Sequence, residues 1–319
     1  MPGGIALLVP FISFYFASGD TTLVDRCRRY GRGLDLAVLP ECAVTGEAGP
    51  ASTLRAVTLE GEFGEAFAAK ARQHSTYIVA PTYLHETDGM ISNAAVLFGR
   101  RGEVVGAYRK VHLVVSADGS FENGCTPGGE VPVFECDFGK LGIQICYDME
   151  FDYGWEELRR QGAELVVFTT QSPQTSHPAS RAMHGSYYIV SSNWRSNATV
   201  FEPTGKISAQ VLDGGGGQRI RPAGPGRDLV CEIDLEYMVL PWHPALRNGA
   251  ALRERYGDAV GFNYYDDEDN GIFWSNDEST PVAEMAAAIG VSDVATTLAR
   301  VRNIYRERGV AGYRREAAL

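Results

Sequence analysis

A series of short apolar runs most constrains how this chain can fold. Each run is rich in β-branched and aliphatic residues and is followed by glycine, proline or polar residues. Continuous runs of this kind are typical of strands that are buried on both faces. They include IALLV at 5–9, LDLAVLP at 34–40, TYIVAPTYL at 76–84, NAAVLFG at 93–99, VVGAYRK at 104–110, LGIQIC at 141–146, ELVVFT at 164–169 and YYIVSSN at 187–193.

Helical patterns lie between several of these runs. They are predicted over 20–31, where Asp20 is a suitable N-cap, over 61–74, where Phe63 and Phe67 share one face, and over 152–161, before Gly162. Strands that alternate with helices indicate a layered α/β fold. The letters RRGE between the runs at 93–99 and 104–110 are a hairpin signal, so the sheet is predicted to be mixed. The DGGGG run at 213–217 is predicted to be a turn.

Charge and cysteine content exclude several classes of protein. The net charge of -11 argues against nucleic acid or an anionic membrane as a partner, because both require a basic face. The apolar stretch at 5–17 has no preceding basic residue and is too short to cross a bilayer. The six cysteines form no CxxC pair and are typical of thiols in a reducing compartment, so we expect a cytoplasmic protein. They are Cys27, Cys42, Cys125, Cys136, Cys146 and Cys231.

The composition changes after about residue 245. Residues 246–280 are rich in Asn, Asp, Gly and aromatic residues, and residues 281–308 form an amphipathic helical pattern. We therefore predict one domain over 1–245 and a C-terminal extension over 246–319. The extension is expected to be a loop plus a helix that packs on the core or on a partner subunit.

Three segments place a reactive side chain directly after a predicted strand, where open α/β sheets present catalytic groups. Glu41 follows LAVLP, Lys110 follows GAYR, and Cys146 follows LGIQI. A thiol becomes a nucleophile when it loses its proton, and a nearby carboxylate can accept that proton. A lysine ammonium can stabilise the anion formed when the thiolate attacks a carbonyl or nitrile carbon. Together the three residues predict Cys146 as nucleophile, Glu41 as base and Lys110 as oxyanion stabiliser.

The same segments carry a resemblance to a known family. The chain resembles the carbon–nitrogen hydrolase, or nitrilase, superfamily over roughly residues 1–235, and YRKVHL combined with GIQICYD is the most specific part. The matching text is LDLAVLPE around Glu41, DGMISNAAVLFGRRGEVVGAYRKVHL at 88–113, GKLGIQICYDMEF at 139–151, GAELVVFTT at 162–170 and RAMHGSYYIVSSN at 181–193.

The resemblance implies a four-layer αββα sandwich with mixed sheets, and a homodimer or larger homo-oligomer in which sandwiches pack through their helices. It carries the three catalytic roles over to Glu41, Lys110 and Cys146. A second glutamate usually precedes a Pro-Gly pair, and Glu122 is the best match, with an orienting role toward Lys110; Glu130 is the alternative. Members of the family need no metal and no organic cofactor, so we expect neither.

The resemblance favours an amidase that releases ammonia from a linear amide through a thioester, because CYD is typical of amidase-like members. An N-carbamoyl amidohydrolase, a nitrilase and an amide-forming acyl transferase stay open. Related N-carbamoyl enzymes carry an arginine where Glu150 stands here. A carboxylate there favours a neutral or amino-bearing small-molecule substrate, unless Glu150 points to solvent or pairs with an arginine such as Arg181. The other candidate substrate-binding residues are Tyr147, through its backbone N–H, and Gln171 and Ser172.

Other classes of protein remain as alternatives. A Cys–His hydrolase would use His112 or His184 as the base for Cys146, although the local signatures of such families are absent. The acidic segment around Asp266 and Glu268 faintly resembles a calcium loop, and a solvated acidic loop is the better interpretation. A scaffold that kept the fold and lost its activity is the non-enzymatic alternative.

Overall fold

The computed structural model describes residues 4–10, 33–46, 53–172, 174–193, 198–211 and 228–310. The helix predicted over 20–31 and the turn predicted at 213–217 lie outside these ranges. The chain divides into two compact units, of which the first is Gly4–Leu235 and the second begins at Glu236. Each unit has its own sheets.

The apolar runs of the sequence form the strands of the first unit, and every run named above overlaps one of them. Among the described residues these strands are β1 (Gly4–Pro10), β2 (Leu36–Val38), β3 (Tyr77–His85), β4 (Ile91–Phe98), β5 (Val104–Arg109), β6 (Val133–Cys136), β7 (Gly139–Ile145), β8 (Leu165–Thr170), β9 (Tyr188–Asn193), β10 (Thr199–Phe201), β11 (Ile207–Gln210) and β12 (Asp228–Asp234).

These strands form two six-stranded sheets. The first has the order β12-β1-β2-β3-β4-β5, with β1, β2 and β3 parallel and the other neighbours antiparallel. The second has the order β11-β10-β9-β8-β7-β6, with β7, β8 and β9 parallel and the other neighbours antiparallel. The predicted mixed sheet is confirmed, and so is the hairpin that joins β4 to β5.

Within the described residues of the first unit, one helix covers the first sheet. Helix Glu62–His74 buries Phe63, Phe67 and Ala71, which pack with Ile78 of β3 and Phe98 of β4. The helix ends at Ser75, whose left-handed backbone donates to the last carbonyls. The helix predicted over 61–74 is therefore confirmed.

In the part of the chain that the structure describes, two helices cover the second sheet. Helix Asp152–Gln161 places the Trp155 ring 5.8 Å from the Phe168 ring of β8, and it ends at Gly162 with φ 78°, as predicted. Helix Ser176–Gly185 lies against β9. No helix in the described parts of the chain has the length and apolar character needed to span a membrane.

The remaining faces of the two sheets pack on each other. Gly106 of β5 lies against the Phe134 ring of β6, so closely that a Cβ atom on Gly106 would come within 2.5 Å of that ring. Arg100, in the turn after β4, binds Asp137, in the turn after β6, at 2.7 Å. The order helix, sheet, sheet, helix is the four-layer αββα sandwich.

The second unit has a separate, smaller sheet with the order β13-β15-β14, built from β13 (Tyr237–Pro241), β14 (Val260–Tyr265) and β15 (Asn270–Ser275). Its helices are Ala250–Tyr256, Val282–Ala287 and Val294–Glu307. Leu240, Leu252, Phe273 and Met285 belong to its buried core.

Short 3₁₀ turns occur in both units. Among the described residues they lie at Thr53–Arg55, Glu122–Gly124, Cys146–Glu150, Arg247–Gly249 and Gly257–Ala259.

The second unit differs in detail from the predicted extension. It begins at Glu236, before the boundary predicted at 245/246, because β13 pairs with β15. It contains a sheet in addition to the predicted loop, and the single helical pattern predicted over 281–308 forms two helices, Val282–Ala287 and Val294–Glu307. These strands are hard to recognise because the polar letters DDEDN at 266–270 dominate the segment between them. The packing of this unit on the core or on a partner subunit stays a prediction.

The contact between Gly106 and Phe134 predicts how the two sheets respond to substitution. Gly106→Ala is expected to destabilise the protein by about 1–3 kcal/mol, because the added methyl group meets the ring in a filled space. The measurement is urea unfolding of Gly106→Ala, Phe134→Leu and the double variant. Gly129→Ala is the matched control, since a Cβ atom there meets no heavy atom within 4 Å. In the double variant, the smaller leucine should restore part of the free energy of unfolding that Gly106→Ala loses. If the effects of the two single substitutions simply add in the double variant, the contact between the sheets is contradicted.

Candidate active site

Glu41 and Lys110 come to the same edge of the first sheet. Strand β3 is parallel to β2 and antiparallel to β4, and β5 is antiparallel to β4, so β2 and β5 run in the same direction. Their carboxyl ends therefore meet at one edge, and these ends lead to Glu41 and Lys110. Both residues are almost fully buried, at 2% and 1% exposure.

Lys110 binds two carboxylates at this edge. Its Nζ atom lies 3.1 Å from Glu41 Oε1 and 2.7 Å from Glu122 Oε2. Glu122 begins the short 3₁₀ turn Glu122–Gly124, and its N–H donates to the Val114 carbonyl at 2.8 Å. The Val114 N–H in turn donates to Glu122 Oε2 at 3.2 Å. The structure thus brings Glu122 to Lys110, whereas Glu130 is exposed; the orienting role of Glu122 stays a prediction.

Asn93 completes this cluster and was not among the predicted site residues. Its Nδ2 group donates to Glu41 Oε1 at 2.9 Å and to Glu122 Oε1 at 2.7 Å. Its carbonyl accepts from the Lys110 N–H at 2.8 Å. The only sequence signal is a fully polar amide inside the apolar run of β4, which pattern reasoning does not distinguish from an ordinary strand residue.

The electrostatics of the cluster fix its charges. Burial disfavours the Lys110 ammonium, but Glu41, Cys146 and Glu122 outweigh burial and raise its pKa well above the usual value. Burial also disfavours the Glu122 carboxylate, yet Lys110 and the hydrogen bonds from Asn93 and Val114 lower its pKa. Lys110 therefore stays a cation, and two of its three N–H bonds point at carboxylates. Within the described residues the third N–H has no acceptor, so it can donate to a substrate oxygen.

Cys146 follows β7 in a strained backbone conformation. Its φ of 46° lies in the left-handed region, which is uncommon for a residue with a Cβ atom. The thiol interacts with the Thr170 side chain and the Gln171 backbone, both at the end of β8. Burial and the charge of Glu41 outweigh Lys110 and raise the pKa of Cys146 to about 12. The resting residue is therefore a neutral thiol, and a thiol of this kind requires a base before it can act as a nucleophile.

Asp148 links the Cys146 turn to the Lys110 segment, and it was also not predicted. It is fully buried, and its two oxygens accept from the Tyr108 hydroxyl at 2.7 Å, the His112 N–H at 2.9 Å and the Ile145 N–H at 3.0 Å. Tyr108 and His112 flank Lys110, and Ile145 precedes Cys146. One carboxylate therefore connects the segment that carries the Lys110 ammonium with the segment that carries the Cys146 thiol. The sequence alone does not show this connection, because the two segments are distant along the chain.

The predicted substrate-binding residues lie near Cys146 to different degrees. Tyr147 is its neighbour in the chain, is 36% exposed, and packs edge-on at 5.4 Å against Phe151. Gln171 faces the thiol through its backbone. The Ser172 N–H donates to Thr170 Oγ1 at 3.0 Å, which ties this loop to the residue beside the thiol.

Glu150 does not pair with Arg181, which was one of two alternatives to a role in substrate binding; the other, a side chain that points to solvent, agrees with its exposure. Arg181 binds Asp152 at 2.5 Å and the Met149 carbonyl at 3.2 Å. The Glu150 carboxylate is partly exposed and has only long contacts, 3.5 Å to Gln174 Nε2 and 3.9 Å to His177 Nδ1. The pairing with Arg181 is therefore wrong, and a contact of Glu150 with substrate stays a prediction.

The two histidines that could replace Glu41 as the base are engaged elsewhere. His112 Nδ1 lies 3.0 Å from Asp148 Oδ1, and the His112 ring stacks on Phe151 at 4.0 Å. His184 is exposed on helix Ser176–Gly185, where its Nδ1 lies 2.9 Å from the Ser180 carbonyl. These contacts favour Glu41 as the partner of the Cys146 thiol.

The acidic segment around Asp266 is a polar turn between β14 and β15. Asp266 Oδ1 accepts from Asn248 Nδ2 at 2.9 Å, and Asn270 Nδ2 donates to the Glu268 carbonyl at 3.2 Å. Across the residues that the structure describes, no three His, Cys, Asp or Glu side chains are grouped so that they could hold a metal ion.

With the fold and the buried cluster established, comparison with known proteins defines the class. Residues 21–216 match the family Carbon-nitrogen hydrolase. The match covers more than half of the chain, so the chain belongs to the carbon-nitrogen hydrolase family, within the nitrilase superfamily.

Among its relatives is the omega-amidase NIT2 of Xenopus tropicalis, which is 25% identical over 65% of this chain and 79% of the relative. A Pseudomonas protegens protein named hydrolase in pqqF 5'region is 29% identical over 61% of this chain and 70% of the relative.

Solved structures share the fold. Saccharomyces cerevisiae Nit3, a member of branch 10 of the nitrilase superfamily, is 19% identical with a TM-score of 0.61, over 80% of this chain and 94% of Nit3. A mutant amidase from Nesterenkonia sp. AN1, which shows Michael addition of acrylamide at its active site cysteine, is 22% identical with a TM-score of 0.56, over 66% of this chain and 89% of that amidase.

The lowered pKa of Glu122 predicts how stability depends on pH. The carboxyl of Glu122 binds a proton at a higher pH in the unfolded chain than in the folded protein. Its contribution to the free energy of unfolding is therefore complete above about pH 4.3, and it is lost as the pH falls through the folded pKa. Glu122→Gln should therefore show a smaller loss of unfolding free energy below about pH 4.3 than the wild type. The measurement is urea unfolding over a pH series.

Glu156→Gln is the control for this pH series, because Glu156 pairs with Arg159 on an exposed helix face where solvent screens the interaction. Its pH dependence should follow that of the wild type. Parallel stability curves for Glu122→Gln and the wild type would show that Glu122 is not held ionised by Lys110.

Proposed function

We propose that this chain is a cysteine-dependent amidase that hydrolyses the linear amide of a small molecule to an acid and ammonia. The observation that carries the proposal is the buried cluster of Glu41, Lys110 and Glu122 beside a neutral thiol at Cys146. Membership of the carbon-nitrogen hydrolase family supports the reaction class. The omega-amidase and amidase names among the relatives favour an amide over a nitrile or an N-carbamoyl compound.

The first half of the reaction forms a thioester. Glu41 takes the Cys146 proton as the sulfur attacks the amide carbon, so the carbonyl oxygen becomes an anion. The third N–H of Lys110 and the backbone N–H of Tyr147 donate to that anion. Glu41 then gives its proton to the amide nitrogen, the carbon–nitrogen bond breaks, and ammonia leaves.

The second half of the reaction restores the enzyme. A water molecule takes the position that ammonia left, and Glu41 accepts one of its protons as the oxygen attacks the thioester carbon. The same donors stabilise the second tetrahedral anion. The carbon–sulfur bond breaks, sulfur regains the proton from Glu41, and the acid is released. Glu122 keeps Lys110 oriented through both halves, and no metal or organic cofactor takes part.

The substrate is proposed to be neutral or amino-bearing at the end distant from the amide. Glu150 lies four residues after the proposed nucleophile. Among the described residues its carboxylate has only long contacts, at 3.5 Å to Gln174 Nε2 and 3.9 Å to His177 Nδ1. A carboxylate in this position repels an anionic substrate group and attracts an ammonium group. Gln171 and Ser172, in the loop beside Cys146, are proposed to contact the substrate as well.

The proposal extends to the assembly and location of the enzyme. We propose that it acts in the cytoplasm, where its thiols stay reduced, and that it forms a homodimer or a larger homo-oligomer. Support comes from the five described cysteines, which are all free, and from the family resemblance.

An ammonia-release assay tests the proposed function. The panel contains primary amides, nitriles and N-carbamoyl compounds, and each acyl chain ends in an amine, a methyl group or a carboxylate. We expect amides with an amine or methyl end to be hydrolysed fastest. Cys146→Ala should reduce the rate to the blank, and Glu41→Gln should reduce it by about 10²- to 10⁴-fold, because a general base contributes that much.

The matched controls separate substrate class from chemistry. Glu150→Gln should reduce the difference in ammonia-release rate between amine-ending and carboxylate-ending amides. The rate for the methyl-ending amide should stay nearly unchanged. Glu156→Gln, which changes an exposed carboxylate on the following helix, should leave the preference as it is. Faster release from nitriles or N-carbamoyl compounds than from any amide would overturn the amidase proposal, and faster turnover of the carboxylate-ending amide would overturn the substrate class.

A further inference from the structure

We propose that Asn93 is a positioning residue that fixes the orientation of Glu41 and Glu122 relative to each other and to Lys110. The proposal rests on the proposed function of Glu41 as general base. It assigns a reaction-related role to a neutral strand residue that itself exchanges no proton with Cys146.

One amide nitrogen serves both carboxylates. Asn93 Nδ2 lies 2.9 Å from Glu41 Oε1 and 2.7 Å from Glu122 Oε1, so each of its two hydrogens has a carboxylate acceptor. The opposite amide orientation would place Oδ1 against two carboxylate oxygens, which repel it. The contacts therefore determine the orientation of the amide without ambiguity.

The backbone of Asn93 is held on both sides. Strand β4 lies between β3 and β5, where Asn93 is paired with Tyr83 and accepts a hydrogen bond from the Lys110 N–H at 2.8 Å. Asn93 is fully buried. The amide is consequently a rigid donor, and its two acceptors have little freedom to move relative to it or to Lys110.

This arrangement engages one oxygen of Glu41. Oε1 accepts hydrogen bonds from both Lys110 and Asn93, which holds the carboxylate in one orientation. Two neighbouring carboxylates would normally favour protonation of one of them. Lys110 supplies one positive charge for two negative charges, and the Asn93 amide supplies the remaining donors. The titratable groups that face the two carboxylates include Lys110, Cys42, Cys125 and Cys146.

The test is the pH dependence of Cys146 alkylation by iodoacetamide, followed for the Cys146 peptide by mass spectrometry. Glu41 is proposed to assist alkylation by accepting the thiol proton, so the assisted rate should fall as the pH is lowered and give the profile an acid limb. Asn93→Ala removes both donors and should move the acid limb to higher pH by about one unit. Asn93→Asp keeps the shape but adds a third carboxylate, and it should move the limb further in the same direction.

A second readout separates positioning from a purely structural role. On an amide substrate, Asn93→Ala should lower kcat more than it raises KM, with the same shift in the acid limb of kcat/KM. Ser191→Ala, which changes another fully buried polar residue in the middle of a strand, is the control and should leave the acid limb in place. Asn93→Asp, with its near-identical volume, covers the case in which Asn93→Ala does not fold.

The outcomes distinguish this proposal from the proposed function. An upward shift of the alkylation limb in both Asn93 variants supports the positioning role even if the wild type releases ammonia from no amide. An unmoved limb in a folded Asn93 variant, with loss of thermal stability alone, overturns the positioning role even if the wild type is an active amidase.

Discussion

The interaction on which the rest of the site depends is a buried ammonium, Lys110, held between the buried carboxylate of Glu41 and the largely buried carboxylate of Glu122. Removing these charges from water is costly, and deleting one partner of such a group typically destabilises a protein by about 3–5 kcal/mol. The cost is offset only by close geometry, which here consists of contacts of 2.7 and 3.1 Å from Lys110 and two further donors from Asn93. Such a cluster is weak evidence that the charges serve to stabilise the fold. It is stronger evidence that they serve a reaction, because they determine the charge next to the Cys146 thiol.

The sandwich positions this cluster by bringing together strand ends from two sheets. Glu41 and Lys110 follow parallel-running strands of the first sheet, whereas Cys146 follows β7 of the second. Asp148 joins the two sheets at this point, since it accepts from groups that flank Lys110 and from the N–H that precedes Cys146. The thiol therefore meets the charges of Glu41 and Lys110 because the two sheets are packed face to face and linked by one buried carboxylate.

Sequence patterns predicted the parts of this structure that repeat. Long apolar runs predicted the main strands, and amphipathic stretches predicted two of the helices. Both kinds of element bury residues in a regular pattern, and that pattern can be recognised in the sequence. The short strands β6 and β10 and the sheet of the second unit left no such trace. Glu41, Lys110 and Cys146 follow strands in specific contexts, and the family resemblance added Glu122. Asn93 and Asp148 could not be predicted, because their importance lies in contacts between distant segments: Asn93 reaches Glu41 across 52 residues, and Asp148 reaches Tyr108 across 40.

Titration of the Cys146 thiol tests most directly whether it rests neutral beside a charged base. Thiolate absorbance in the ultraviolet is followed over pH for the wild type, with Cys146→Ala subtracted, and again for Glu41→Gln. Burial and the Glu41 charge predict no Cys146 thiolate at neutral or mildly alkaline pH, and ionisation at lower pH once Glu41 is neutralised. A thiolate already present at neutral pH, and unchanged in Glu41→Gln, would contradict the assignment of Glu41 as the base.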